Sequence, residues 1–351
     1  MPDFAGRVVA WQKAHGRRDL PWQNTADAYR IWLSEIMLQQ TQVGTVIPYY
    51  LRFLDSFPDV HALAAAPIEA VMVHWAGLGY YSRARNLHQC ARLVVKEHGG
   101  NFPRNAEALA RLPGIGRSTA GAIAALAFGA REPILEGNVK RVLARQFGVA
   151  GYPGTASVQR VLWQLANELL PPIQMQSYTQ GLMDLGATVC TRSRPGCAAC
   201  PVRETCVALA QGKVDVLPTP RPIKPRPVRS ATVLVIRDAG SVMLEARPPA
   251  GIWGGLVSLP EFEADACDAS IMTAVESRYG LVVELEDFLD DIRHEFTHYT
   301  YVLRPRIAWI KGVAGVAHSS LRAVADHQLR DAPLPAPIRR LLLQITDPAL
   351  V

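Results

Sequence analysis

The sequence predicts a multidomain protein in which an all-α region precedes a smaller α+β domain. A chain of 351 residues is too long for one ordinary core. Helical patterning dominates its first part, whereas runs of β-branched and aromatic residues dominate its last part. A proline-rich basic stretch separates the two. We therefore expect a helical region over 1–212, a linker over 213–228 and an α+β domain over 229–351.

Apolar residues recur at helical spacing in five segments of the first region. Proline and glycine residues stand between these segments and mark their ends. The predicted helices are Tyr29–Gln40, Ala106–Leu112, Ser118–Phe128, Val139–Phe147 and Val158–Leu170.

The stretch from Lys213 to Arg229 contains five prolines and five basic residues. Such a composition is extended and semi-rigid, so it predicts a linker that is either solvated or in contact with phosphates. Beyond it, strands are predicted over Ala231–Ile236, Val242–Ala246 and Tyr299–Ile310, with a helix over Ser270–Arg278.

Composition and charge narrow the class of protein. An apolar fraction of 49% favours a globular chain, and a net charge of +6 suits either a nucleic-acid partner or a merely basic soluble protein. No run of 18 apolar residues is present, and the N-terminus lacks a long apolar signal segment. We expect no membrane partner and an intracellular protein, cytoplasmic or nucleoid-associated in a bacterium.

Four of the six cysteines crowd into one segment, with six, two and five residues between them. They are Cys190, Cys197, Cys200 and Cys206. In a reducing compartment this crowding favours metal ligation over disulfides. The thiolates could hold zinc or a [4Fe–4S] cluster. Cys90 and Cys267 are isolated, and we expect them to be buried, inert thiols.

The segment from Leu112 to Ser118 lies between two predicted helices and contains Gly114 and Gly116. Glycines let backbone N–H groups approach a ligand, and the N-terminus of the next helix favours an anion. The pattern is typical of a helix-hairpin-helix that grips DNA phosphate without reading sequence. An ordinary glycine-rich turn is the alternative.

Two acidic residues are candidates for acid–base chemistry. Glu35 sits in an apolar helical segment, where burial would raise its pKa and favour a proton donor. The segment alone fits a solvent-facing acid on an amphipathic helix better. Glu136 precedes a predicted helix, where a carboxylate can also serve as a simple cap.

Several motifs resemble one family in the order in which they occur. They are LPWQ (20–23), WLSEIMLQQTQV (32–43), GLGYYSRARNLH (77–88), LPGIGRSTAGAI (112–123), GNVKRVLAR (137–145), MDLGA (183–187) and the cysteine loop. Together they resemble MutY-type adenine DNA glycosylases, members of the endonuclease III superfamily. The resemblance runs from about Trp11 to Cys206 and continues weakly beyond.

The resemblance implies base-excision repair of double-stranded DNA by a monomer. It implies hydrolytic removal of adenine that is mispaired with 8-oxoguanine or guanine. Glu35 would protonate the adenine, and Asn138 would orient water or sugar. Glu136 stands where the family has an Asp that stabilises the oxocarbenium ion. The cysteine loop would ligate a [4Fe–4S] cluster.

Further positions carry roles that the resemblance implies. The adenine pocket would be lined by Arg18, Leu20, Trp22 and Gln180. The residues that would intercalate into the base stack are Gln40 and Tyr80. Those that would bind DNA phosphate are Gly114, Gly116 and Ser118. Wedge residues have a physical reason, since extruding a base costs a few kcal/mol. Core packing is the alternative for Tyr80.

Ser118 bears on the reaction class. The related thymine-glycol glycosylase/lyases have lysine there, and that amine forms a Schiff base with the sugar. Serine cannot form an imine, so we expect a monofunctional glycosylase. An oxidised-pyrimidine glycosylase/lyase and a lesion-binding protein without turnover remain the alternatives.

The C-terminal domain resembles the family's domain that is similar in fold to Nudix hydrolases. Residues 251–256 look like the start of a Nudix box, but only Glu276 stands where a glutamate-rich helix should hold Mg²⁺. Nucleotide hydrolysis is therefore not expected. Phe296, Thr297 and His298 match the family's Phe-Ser-His loop, and the match implies recognition of 8-oxoguanine.

Overall fold

The computed structural model describes residues 3–222, 225–248, 251–296, 298–314 and 321–346. The chain forms two compact units. One, the helical unit, comprises Met1–Ala66 and Asn86–Ile223. The other, the sheet unit, comprises Pro67–Arg85 and Lys224–Val351.

The first 222 residues form helices connected by short loops. In chain order they are α1 (Phe4–His15), α2 (Ala28–Met37), α3 (Val43–Ser56), α4 (Val60–Ala65), α5 (Ile68–Trp75), α6 (Ser82–His98), α7 (Ala106–Ala110), α8 (Arg117–Phe128), α9 (Gly137–Gln146), α10 (Ala156–Glu168), α11 (Met175–Asp184) and α12 (Val207–Ala210). A π-helical turn, Leu185–Val189, follows α11 directly.

Helix α2 carries the first candidate acid. Asp27 caps it by accepting hydrogen bonds from the N–H groups of Tyr29 and Arg30. The helix was predicted to reach Gln40 but ends at Met37. Gln40 has a φ of 58°, a left-handed conformation that an α-helix cannot accommodate, so the chain turns there.

The helical unit is built around side chains from α1 and from α8 to α11. Alanines and Gly121 on α8 allow the segment around Pro133 to approach this helix closely. A Cβ at Gly121 would lie 2.4 Å from the carbonyl oxygen of Pro133, so only glycine fits there. This contact holds the segment that leads into Glu136 against α8.

One mixed sheet forms the centre of the sheet unit. Its strands are β1 (Val228–Asp238), β2 (Ser241–Ala246), β3 (Val257–Ser258), β4 (Glu261–Glu263), β5 (Leu281–Phe288), β6 (Ile292–Glu295), β7 (Thr300–Val313) and β8 (Leu321–Ala325). The main path runs β3-β2-β1-β7-β5, while β4 pairs with β1, β6 with β7 and β8 with β2.

Strands β1 and β7 run parallel, with Val228 opposite Thr300 and Arg237 opposite Trp309. Helices α13 (Asp268–Tyr279) and α14 (Ala336–Thr346) accompany the sheet. Ile271, Val275 and Tyr279 of α13 bury their side chains against it. The predicted fold class, a helical region together with an α+β domain, is confirmed. Cys90 is buried as expected, whereas Cys267, the residue before α13, is exposed.

Among the described residues, no helix combines the length and the apolar character that a bilayer-spanning helix needs.

Candidate active site

A cavity of about 520 Å³ opens in the helical unit beside α2. Glu35 lines it together with all four residues predicted for the adenine pocket, Arg18, Leu20, Trp22 and Gln180. These residues come from α2, from the loop after α1 and from α11. Leu20 and Trp22 are each only 8% exposed, so the loop presents a fixed apolar surface.

Glu35 is half-buried at this cavity, and its helix neighbours Ser34 and Ile36 are buried. The pKa of the Glu35 carboxyl is raised to about 7, first by burial and then by the negative charge of Glu136. A carboxylic acid with this pKa is protonated in a large fraction of molecules near neutral pH. The arrangement can therefore supply a proton inside a sheltered cavity.

Glu136 caps helix α9. Its carboxylate accepts hydrogen bonds from the backbone N–H groups of Asn138, at 2.8 Å, and Val139, at 2.9 Å. Burial raises the pKa of Glu136, while these two hydrogen bonds and the charges of Arg141 and Lys140 lower it. The capping that the sequence allowed is present, and the same carboxylate is near enough to Glu35 to raise its pKa.

Asn138 and the helix around it are tied to the cysteine loop by Arg141. The Arg141 guanidinium donates to Oδ1 of Asn138, to the carbonyl of Gly186 and to the carbonyl of Cys190, each at 2.7 Å. One side chain thus joins the residue beside Glu136 to the first cysteine of the loop.

The four cysteines line one small apolar cavity of about 30 Å³. Arg145, only 3% exposed, lies beside it and donates to the sulfur of Cys190 at 3.4 Å and to the carbonyl of Thr191 at 2.6 Å. Four cysteine sulfurs around one cavity form a donor set that fits an iron–sulfur cluster. Within the described ranges, no group of three or more His, Cys, Asp or Glu side chains is arranged to hold a metal ion, so the fit rests on the chemistry of the four thiols and on the cavity that they share.

The predicted hairpin connects α7 to α8. Gly114 has a φ of +78°, and a Cβ there would lie 2.9 Å from Cβ of Asn86. Gly116 is the residue before α8 and has open space around it. The hydroxyl of Ser118 accepts a hydrogen bond from the N–H of Leu135 at 2.9 Å, one residue before Glu136.

The two predicted wedge residues both have left-handed backbones, with φ of 58° at Gln40 and 51° at Tyr80. Gln40 is exposed in the helical unit, and Tyr80 is 46% exposed in the sheet unit. A large exposed aromatic ring argues against the core-packing alternative for Tyr80.

In the sheet unit, Phe296 belongs to an aromatic cluster. Its ring centroid lies 4.6 Å from that of His294, 5.0 Å from Tyr299 and 5.5 Å from Trp253. His298 is exposed. Thr297 lies outside the described residues.

The helix that a working Nudix box would need is α13. Its acidic residues are Asp268 and Glu276, and Asp268 is paired with Arg306. This helix therefore lacks the several glutamates with which a working Nudix box holds Mg²⁺, as the sequence predicted.

Sequence reasoning missed Asp184, which is fully buried and bonded to Arg17 and Gln180. It stands in the motif MDLGA, but nothing in that pattern distinguishes a buried aspartate from a helix-capping one. The available signal was Gln180, a residue predicted for the adenine pocket, which stands one helical turn before Asp184.

Two family models match this chain. One describes an HhH-GPD superfamily base excision DNA repair protein and covers residues 33–168, and the other describes a NUDIX domain and covers residues 231–344.

Among solved structures, a thermostable thymine-DNA glycosylase is 31% identical with a TM-score of 0.54, over 59% of this chain and 95% of that one. A non-covalent endonuclease III–DNA complex, 20% identical with a TM-score of 0.50 over 59% of this chain and 94% of that one, shares the fold.

Curated relatives extend the similarity to most of the chain. The adenine DNA glycosylase of Buchnera aphidicola from Acyrthosiphon pisum is 33% identical over 302 residues, which are 86% of this chain and 85% of the relative. The human adenine DNA glycosylase is 47% identical over 214 residues, which are 58% of this chain and 39% of that protein. The motifs, the fold and this similarity over nearly the full length lead to one conclusion: the chain belongs to the adenine DNA glycosylase family.

Proposed function

We propose that this protein removes adenine mispaired with 8-oxoguanine or guanine in double-stranded DNA by hydrolysing the N-glycosidic bond. The observation that carries the proposal is Glu35, an acid with a pKa of about 7 in a cavity lined by Arg18, Leu20, Trp22 and Gln180. The cavity is large enough for a purine base, since ligand pockets typically measure about 300–1,000 Å³.

In the proposed reaction, the base is extruded into the cavity and stacks on the apolar surface of Leu20 and Trp22. Glu35 transfers its proton to the purine, which makes the base a better leaving group. As the bond lengthens, positive charge develops on the sugar, and the Glu136 carboxylate stabilises it. Asn138 orients the water that completes the hydrolysis.

The position of Glu136 supports this role, whereas its side chain is longer than the aspartate that the family has there. Its two hydrogen bonds to backbone N–H groups fix the carboxylate, so it costs little reorganisation as charge develops. Compared with aspartate, one additional methylene moves the carboxylate, and a displacement of about 1 Å can change a rate about a hundredfold.

Ser118 makes the proposed enzyme monofunctional. Its hydroxyl is bonded to the N–H of Leu135, and serine provides no amine for a covalent sugar intermediate. Gly114, Gly116 and the start of α8 are proposed to hold a DNA phosphate, with Gln40 and Tyr80 filling the space that the extruded base leaves.

Cys190, Cys197, Cys200 and Cys206 are the residues that would hold a [4Fe–4S] cluster. When bound, the cluster would cross-link the loop through iron–thiolate bonds. In the sheet unit, Phe296, Thr297 and His298 are proposed to read the 8-oxoguanine. We further propose that the protein acts as a monomer inside the cell.

The proposal is tested by single-turnover reactions on duplexes with adenine opposite 8-oxoguanine, opposite guanine or opposite thymine. Free adenine should be released from the first two, and borohydride should trap no covalent protein–DNA adduct. Absence of adenine release from cluster-loaded protein would refute the proposal, and stoichiometric trapping would favour a glycosylase/lyase.

Glu136→Asp is the companion variant in the same assay. If the carboxylate acts on the sugar, the substitution changes the single-turnover rate constant at least severalfold while mispair affinity stays the same. An unchanged rate constant would leave Glu136 as a helix cap only, and tight mispair binding without cleavage by either protein would indicate a lesion-binding protein.

A further inference from the structure

A buried aspartate stands directly behind the proposed adenine pocket. Asp184, the last residue of α11, has a fully buried side chain, and its Oδ1 accepts from Nε of Arg17 at 2.7 Å. Its Oδ2 accepts from the backbone N–H of Arg17 at 3.1 Å. A third donor is Nε2 of Gln180, which lies 3.0 Å from Oδ1.

The contact between Asp184 and Gln180 determines how the Gln180 amide is turned. A carboxylate only accepts hydrogen bonds, so the amide must offer it the nitrogen and cannot offer it the oxygen. Arg17 holds the carboxylate in place from both its side chain and its backbone. Gln180 lines the cavity, so a bound base meets the amide with its oxygen in a fixed place, beside the second N–H of the nitrogen, which can still donate.

We propose that Asp184 is a positioning residue that makes the pocket selective for a purine with an amino group at position 6. It does so by fixing the Gln180 amide with its oxygen toward the base. The inference rests on the proposed function and concerns the same pocket. Asp184 does not line the cavity, whereas its two partners Arg17 and Gln180 do, and we assign its effect to Gln180 because that contact sets the orientation of an amide.

The chemistry of position 6 explains what such an arrangement achieves. Adenine carries an amino donor there, which pairs with the Gln180 oxygen. Guanine and hypoxanthine carry a carbonyl oxygen there, which faces a second acceptor and leaves both groups unpaired. A buried polar group without a partner is costly, so 6-oxopurines are rejected even though they have the same size and shape.

The first arm of the test uses the unaltered protein on duplexes with adenine or hypoxanthine opposite the same 8-oxoguanine. Each single-turnover rate constant is divided by the rate of uncatalysed acid depurination of that base. The corrected preference for adenine should be at least about tenfold, the effect of one misplaced hydrogen bond. A preference near unity would overturn the inference without any variant.

The second arm removes the positioning group. In the double variant Arg17→Met/Asp184→Leu, apolar side chains of comparable volume replace the ion pair, an exchange that often leaves stability unchanged or improved. The Gln180 amide then turns freely, so the preference for adenine over hypoxanthine should fall about tenfold. Because the Arg17 side chain itself lines the cavity, Arg17→Met alone is measured beside it, and it should keep the preference since Asp184 still holds Gln180; an equal fall in Arg17→Met would overturn the inference. Gln164→Met/Glu168→Leu, which removes a hydrogen-bonded polar pair on the exposed face of α10, is the matched control and should keep the preference.

The outcomes separate the inference from the function on which it rests. No adenine release by the unaltered protein would refute the proposed function itself. Adenine release with the same preference, within about twofold, in the folded double variant would refute only the role of Asp184. A merely structural aspartate would lower both rate constants together and leave their ratio unchanged.

Discussion

Glu35 is the residue on which the proposed chemistry depends, and its pKa gives the chemistry a pH signature. The acid acts in its protonated form, and that form declines as the pH rises through about 7. The single-turnover rate constant for adenine release should therefore fall from pH 6.5 to pH 9, with an apparent pKa near 7. A rate constant that is level or rising over this range would mean that another group donates the proton.

The same raised pKa has a consequence for stability. A carboxyl that titrates near 4.5 in the unfolded chain and near 7 in the fold stabilises the folded protein at low pH. That contribution is complete below about pH 4.5 and is lost as the pH rises through about 7. The loss is at most about 3 kcal/mol.

Glu35→Gln cannot ionise and should therefore unfold at a higher temperature than the unaltered protein at pH 8.5. At pH 4.5 the two should unfold at similar temperatures. Thermal unfolding followed by circular dichroism measures this, with the exposed Glu97→Gln as control. Equal unfolding temperatures at pH 8.5 would show that the Glu35 carboxyl is well solvated.

Sequence analysis identified Glu35 as a candidate acid but did not single out Asp184. Glu35 was identified through its motif, because its own helix alone fits a surface acid better. Its pKa depends on burial beside Glu136, a residue 101 positions away that the linear pattern cannot place. Asp184 was missed because its ion-pair partner, Arg17, lies 167 positions earlier and reaches it only in the folded protein.

At the scale of elements, the hairpin between α7 and α8 depends on one glycine more than the other. Gly114→Ala places a Cβ against Asn86 in a left-handed backbone, so the free energy of unfolding should drop by more than about 1 kcal/mol. Gly116→Ala meets open space and should leave that free energy nearly unchanged. Urea unfolding measures both, and equal losses would contradict the strained turn.

Arg141 links α9 to the cysteine loop through three hydrogen bonds. In Arg141→Met, the side chain of Asn138 loses the donor that orients it, so cleavage should slow at least about tenfold. The carbonyl of Cys190 loses its hydrogen-bond donor as well, so the iron content should fall. The exposed Arg160→Met on α10 serves as control. Normal rate and iron content in Arg141→Met would show that the two sites are independent.

The sequence located elements whose ends carry proline or glycine, such as α8 and α9. It overran α2 because Leu38 to Gln40 have ordinary helical composition, and the left-handed Gln40 is decided by the fold. Strands β5 and β6 were not predicted. Their charged, partly exposed residues alternate too weakly to be distinguished from loops.

At the scale of the whole molecule, the order of helical region and α+β domain could be predicted from the change in composition. The grouping of Pro67–Arg85 with the sheet unit could not. That segment is separated by more than 130 residues of sequence from the rest of the sheet unit, where Arg85 donates to the carbonyl of Gly254. Tyr80 therefore belongs to the same unit as Phe296, which a linear division of the chain would not suggest.

The most direct test of the central claim is Glu35→Gln in single-turnover cleavage and mispair binding, on a duplex with adenine opposite 8-oxoguanine. The side chain keeps its size and loses its titrating proton. Affinity should stay within about threefold, while the cleavage rate constant should fall at least about a hundredfold, as expected for loss of a general acid. Near-normal cleavage by Glu35→Gln would contradict the account, since the proton would then come from another residue.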